Sequence, residues 1–201
     1  MVSRPIFARL FTRQAIAVVL TAGLCLCPVL AAEGDLTGVV LVKGRPERNV
    51  VVWLEGGARS TAPAKRIVLD QRQLQFKPHV LAVSVGSQVD MPNSDRVFHN
   101  VFSFHDGKRF DLGLYPVGTA KTVTFDRPGL SRIFCNIHPN MAAYVLAVDS
   151  SYFAVSDSQG QFVMAGVPSG TYTYRAWRPG GETTSGTVAV DAGRRLEIRW
   201  P

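Results

Sequence analysis

Four residues of three kinds carry the chemistry of this 201-residue chain. Cys135, His138 and Met141 share one short stretch, Phe134-Cys135-Asn136-Ile137-His138-Pro139-Asn140-Met141. His99, followed by Asn100, lies upstream in the apolar segment Val97 to Phe104. Two imidazoles, a thiolate and a weak thioether are the donor set of a blue-copper electron-transfer site. The sulfur donors favour Cu(I), and imidazoles hold either oxidation state, so the set suits one ion cycling between Cu(I) and Cu(II). Metal ligation would also keep Cys135 deprotonated, since a ligand must surrender its proton.

Other chemistries fit less well. Zinc accepts thiolate and imidazole, but rarely methionine. Haem c attachment needs a Cys-x-x-Cys-His run, which the sequence lacks. A two-thiolate binuclear centre needs a second nearby cysteine. A cysteine nucleophile needs a base and an orienting group, whereas Cys135 is flanked by ligand-type residues.

The spacing sets what the scaffold must do. The Cys135–Met141 loop is short enough to wrap three donors around one ion, so His99 must arrive from a separate strand. Pro139 stiffens the loop beside His138 and removes one backbone donor. Asn100 can tie the two ligand segments by a side-chain hydrogen bond, as outer-shell groups do when they orient ligands. Phe98, Phe102 and Phe134 are expected to keep water from the sulfur. His79 and His105 read as ordinary loop or surface histidines.

The positioning elements are expected to be strands. Glycine (18) and proline (12) are plentiful, and no long segment has helical apolar spacing. Strands are expected at Leu36 to Val42, Asn49 to Leu54, Val80 to Val85, Val97 to Phe104, Thr122 to Phe125, Leu130 to Phe134 and Tyr144 to Val148. Further alternating strands run from Tyr152 to Trp200. Ser60 to Lys65 reads as a linker, and Lys108 to Gly118 as a loose segment.

Residues 1–31 read as a cleaved signal peptide. Arg4, Arg9 and Arg13 precede an apolar run from Ala15 to Leu30, and Val29 and Ala31 suit a cleavage site. Its removal would take Cys25 and Cys27 away and leave Cys135 as the single thiol of an exported protein, where a metal explains it better than a disulfide. It would also lower the formal charge from +7 to +4, because it holds three arginines and no acid. That charge does not indicate nucleic-acid binding. The mature chain is expected to be periplasmic or secreted and not embedded in a membrane.

Cys-x-x-His-Pro-x-Met with an upstream His-Asn resembles the cupredoxins, and the short loop is most similar to that of amicyanin. Val97-Phe98-His99-Asn100-Val101-Phe102-Ser103 and the long C-terminal extension resemble the cupredoxin-domain proteins of the methylamine-utilisation type. The resemblance covers roughly residues 66–150 and implies a Greek-key β-sandwich. It makes His99, Cys135 and His138 equatorial ligands, Met141 the axial one and Asn100 the structural asparagine. Asn136-Ile137 lacks the proline often found there in related loops. Gly38-Val39-Val40, Gly44-Arg45-Pro46 and Val50 to Leu54, with Asp157-x-x-Gly160-x-Phe162 and Val167-Pro168-x-Gly170-x-Tyr172, resemble a carboxypeptidase-regulatory-like (transthyretin-like) β-domain. That small sandwich would be formed in two halves, residues 34–60 and 151–201. Alternatively, residues 36–55 are the first strands of the cupredoxin sandwich.

The expected function is a one-electron carrier and not an enzyme. The resemblance implies redox proteins as partners, such as an amine dehydrogenase or a cytochrome c. Two other readings stay open: a copper carrier or sensor that passes no electrons, and a structural β-module with a vestigial copper site.

Overall fold

The computed structural model describes residues 33–56, 66–104, 106–181, 183–191 and 195–201. The expected targeting segment, the Ser60 to Lys65 linker and His105 lie outside the described residues. Among those described there are eighteen strands and no helix. The first group is β1 (Glu33–Val42), β2 (Arg45–Pro46) and β3 (Val51–Leu54). The middle group is β4 (Ile67–Val68), β5 (Asp70–Arg72), β6 (Gln75–Lys77), β7 (Val80–Ser84), β8 (Ser87–Pro92), β9 (His99–Ser103), β10 (Phe110–Tyr115), β11 (Ala120–Phe125), β12 (Gly129–Phe134) and β13 (Ala142–Val148). The last group is β14 (Phe153–Val155), β15 (Gln161–Pro168), β16 (Gly170–Trp177), β17 (Thr183–Val190) and β18 (Arg195–Trp200).

These strands make sandwiches, as the turn-rich, alternating sequence requires. A five-stranded sheet, β10-β9-β12-β13-β7, faces a three-stranded one, β11-β8-β4. Their core holds Leu69, Met91, Val101, Phe125, Ile133 and Val145. Outside this group, β15-β1-β18 with β2, and β14-β3-β16-β17, enclose a second core of Leu36, Val52, Leu54, Phe162, Ile198 and Trp200. The first and last strands of the described chain are neighbours, since β1 pairs parallel with β18. Glycine has a packing role here: Gly38 lies opposite Phe162, and a Cβ on it would collide with the ring.

Strand alternation joins the two cores. Along β13, Ala143, Val145 and Ala147 enter the first core. Leu146 and Val148 point the other way, into a third cluster with Val51, Val80, Ala82 and Trp177. Tyr144 packs against this cluster, with its ring 5.4 Å from that of Trp177. The β13–β7 side of the five-stranded sheet is therefore covered on both faces.

One expectation needs correction. The loose segment Lys108 to Gly118 contains β10. Its alternation is broken at Gly113, which has φ of 63°, and the register against β9 shifts between Asp111 and Leu114. A bulge of this kind hides a strand from a period-two reading. It also returns Tyr115 to the interior, opposite His99.

Trp177→Ala should destabilise the protein by about 3 kcal/mol, because it empties the middle of the third cluster. Urea unfolding measures this, and a loss below about 1 kcal/mol would mean that the cluster collapses without cost.

Candidate metal centre

β9 and the β12–β13 turn bring the candidate donors together. His99 begins β9 and is 0% exposed; Cys135 follows β12 and is 3% exposed. Met141, 1% exposed, precedes β13 and lies in the same core cluster as Cys135. His138, at the loop tip, is half-buried. The loop closes on itself: the Met141 N–H donates to the His138 carbonyl at 2.9 Å, and the Cys135 N–H donates to the Met141 carbonyl at 3.3 Å. These bonds fold the chain between Cys135 and Met141 back on itself without a longer excursion.

Three donor atoms form a compact triangle. Nδ1 of His99 and Nδ1 of His138 are 3.0 Å apart. The Cys135 Sγ is 3.9 Å from the first and 3.7 Å from the second. A point equidistant from all three corners lies about 2.1 Å from each, within the range of metal–nitrogen and metal–thiolate bonds. The donor set therefore fits one metal ion in size as well as in chemistry. His99, Cys135 and His138 are the group of metal-capable side chains found among the described residues.

The outer bonds orient this triangle. The His99 Nε2–H donates to Oδ2 of Asp95 at 3.1 Å. That bond fixes the tautomer and leaves the Nδ1 lone pair facing the triangle. Asp95 is itself held, since the Leu74 N–H donates to the same oxygen at 2.7 Å and the Arg96 N–H to Oδ1 at 2.9 Å. The Leu74 bond, with smaller help from Arg96 and His99, keeps the Asp95 carboxyl below the usual carboxylate range. Leu74 sits in the β5–β6 turn, where both Gln73 and Leu74 have positive φ, at 56° and 55°. Asn100 supplies the second tie, its Oδ1 accepting the Asn136 N–H at 2.7 Å. The buried Tyr115 hydroxyl donates to the Met91 carbonyl at 2.9 Å and accepts from the Gln71 amide. Burial pushes its phenol up to about 12, with the Gln71 bond acting against the shift and Cys135 adding to it.

Sequence reasoning pointed to His99, Cys135, His138 and Asn100, which the structure brings together, but not to Asp95. The available signal was its position four residues before His99. Phe98 departs from expectation: it is 52% exposed and cannot exclude water from the sulfur. The reason is parity, since His99 points inward and its neighbour in an extended chain must point outward. Phe134 and Phe102 are half-buried and face away from the donors, while Pro139 is exposed at the loop tip. His79 is exposed, and its Nδ1 lies 3.1 Å from the Ala142 carbonyl.

Comparison with known proteins gives partial likenesses. Residues 142–198 match the family model described as polysaccharide lyase family 4, domain II. No relative among curated proteins matches the chain. Among solved structures, a copper-containing nitrite reductase from Thermus scotoductus SA-01 is 22% identical over 48% of this chain and 25% of its own, with a TM-score of 0.40. A purple cupredoxin from Nitrosopumilus maritimus is 26% identical over 38% of this chain and 84% of its own, with a TM-score of 0.35. The Cu(I) form of an amicyanin mutant is 19% identical over 51% of this chain and 100% of its own, with a TM-score of 0.40. This chain thus spans a quarter of the nitrite reductase. Such scores carry no weight of their own, and the metal reading rests on the side chains.

Two outcomes follow from the outer bonds. Asp95→Ala should weaken copper binding by about 10- to 100-fold, measured by competition with a chromophoric chelator, while the fold persists. Unchanged affinity would show that packing alone orients His99. Stability should also fall as pH rises above about 10, because the unfolded phenol of Tyr115 ionises there while the folded one stays protonated up to about 12. Tyr115→Phe should flatten that limb of the stability curve, as read by urea unfolding across alkaline pH.

Proposed function

We propose that this protein is an exported one-electron carrier that holds a single copper ion with His99, Cys135 and His138, and with Met141 as a weak fourth donor. The observation that carries this reading is the Nδ1–Nδ1–Sγ triangle, whose edges of 3.0, 3.7 and 3.9 Å suit one ion. When bound, copper supplies a Cu(I)/Cu(II) couple. The buried Met141, in the same core cluster as Cys135, supports copper over zinc, because a thioether is a soft donor that zinc seldom takes.

The chain's own part is to hold and to shield. Asp95 and Asn100 fix the imidazole and the loop before any ion arrives, so the donors need move little when the charge on the metal changes. His99 and Cys135 are closed off from water, and only the half-buried His138 approaches the surface. That burial leaves little room for a substrate at the metal, which favours a carrier over an enzyme. The basic, apolar start of the sequence supports export, to the periplasm or beyond. Suitable partners are soluble redox proteins of the amine dehydrogenase or cytochrome c kind. Among the described residues, no helix is long and apolar enough to cross a membrane.

Titration of the mature protein with Cu(II) should raise an intense absorption band near ~600 nm, lost on reduction and restored on oxidation. Cys135→Ser should remove the band at equal copper loading. A colourless wild-type protein, or a band that survives the substitution, would sink the assignment.

A further inference from the structure

The third cluster is tight at one end and open at the other, and parity sets this up. On β3, Val52 and Leu54 enter the second core, so Val51 and Trp53 point the other way. On β16 the same side carries Arg175 and Trp177, since Trp53 pairs in register with Arg175 and Val51 with Trp177. The Val51–Trp177 end is closed, with these residues 0% and 5% exposed. Trp53 packs against the same cluster but is only half-buried. Beside it a cleft of about 410 Å³ opens between β3, β16, the end of β13 and the β11–β12 turn.

The lining of this cleft is mixed. Apolar surface comes from the Trp53 indole, the Pro128 ring and Leu146. Glu55, two positions beyond Trp53, accepts from Nε of Arg175 at 2.5 Å. These two side chains are 42% and 49% exposed, so a ligand in the cleft can reach the pair. Asp149 adds a second carboxylate from the end of β13. Clefts between packed units, apolar with a few polar groups, are common ligand sites.

The balance of groups selects the ligand. Two carboxylates against one guanidinium disfavour an anion. A cation would compete with Arg175 for Glu55. A wholly apolar ligand would strip water from the ion pair and offer nothing in return, which is costly. A neutral ring with an apolar C–H face and hydroxyls on its edge suits every group. Its face covers the indole, while its hydroxyls donate to the carboxylate and accept from the guanidinium.

We propose that this cleft binds a sugar unit of a neutral oligosaccharide, with Trp53 as the stacking platform and Glu55 and Arg175 as the hydroxyl-binding pair. The inference does not rest on the copper reading. The cleft takes Gly129 from the start of β12, whereas Cys135 follows the end of that strand. The six residues of β12 put roughly 20 Å between them. A glycan held here leaves the donor loop uncovered.

The test follows the indole N–H cross-peaks of the three tryptophans in NMR titrations of the ¹⁵N-labelled mature protein. The probes are cellohexaose, mannohexaose and xylohexaose, with hexagalacturonate and spermidine as anionic and cationic controls. At least one neutral probe should shift the Trp53 peak saturably and leave those of the buried Trp177 and Trp200 in place. Glu55→Gln and Arg175→Gln should each raise the Kd about tenfold, with the dispersion of the spectrum unchanged. Trp53→Ala should abolish binding, but it also loosens the third cluster, so the two surface variants decide. No shift with any neutral probe, a response confined to a charged control, or an affinity that neither surface variant alters would overturn the proposal. Copper-free and Cu(I)-loaded protein should bind equally, so a missing visible band would defeat the carrier reading and leave this result standing.

Discussion

The site depends on how β9 is held against β12. The two strands meet at the register pair Phe134–Phe102, and beyond it the Asn100 side chain takes over by accepting the Asn136 N–H. A longer ladder would fill the space between the strands with backbone bonds. The short one lets them part just where His99 and Cys135 face each other, and the asparagine stops the gap from widening. A pocket for an ion is in this sense the unzipped end of a sheet, kept at a fixed opening by one amide.

Behind that opening the interior is polar in a controlled way. Gln71, Asn93, His99 and Tyr115 are all buried. The Asn93 amide donates to the Val97 carbonyl at 2.8 Å and the Tyr115 carbonyl at 3.2 Å, and so anchors the turn that delivers Asp95. Buried polar groups are costly unless bonded, so each such bond restricts the geometry available to the next. The result is a rigid support reaching from the β5–β6 turn through Asp95 to the imidazole of His99.

How much of this could be read from residues alone follows from range. Cys135 and His138 were legible because their spacing is local and their chemistry narrow. The all-β character was legible from turn residues and alternation. Asp95 was not, because a carboxylate in a turn looks the same whether or not a histidine lies behind it. The outward phenylalanines were misread for a related reason: apolarity says that a side chain prefers cover, and parity alone says on which side cover exists. β10 was lost to Gly113, whose bulge breaks the pattern at the point where Tyr115 must turn inward. The pairing of β1 with β18 joins strands too far apart in sequence for any local signal to report.

That last pairing has a consequence for the order of events in folding. The chain leaves the second sandwich after β3 and returns at β14, where the Leu54 N–H meets the Tyr152 carbonyl at 3.0 Å. Everything that carries the donors lies between those two points. The sheet of β15, β1 and β18 cannot close until the last strand has been made, so its formation waits on the most distant contacts in the molecule. The middle strands need no such delay, because their partners are nearer in sequence. The kinetics would then be staged, with the donor-bearing sandwich assembling early and the enclosing one sealing around its ends late.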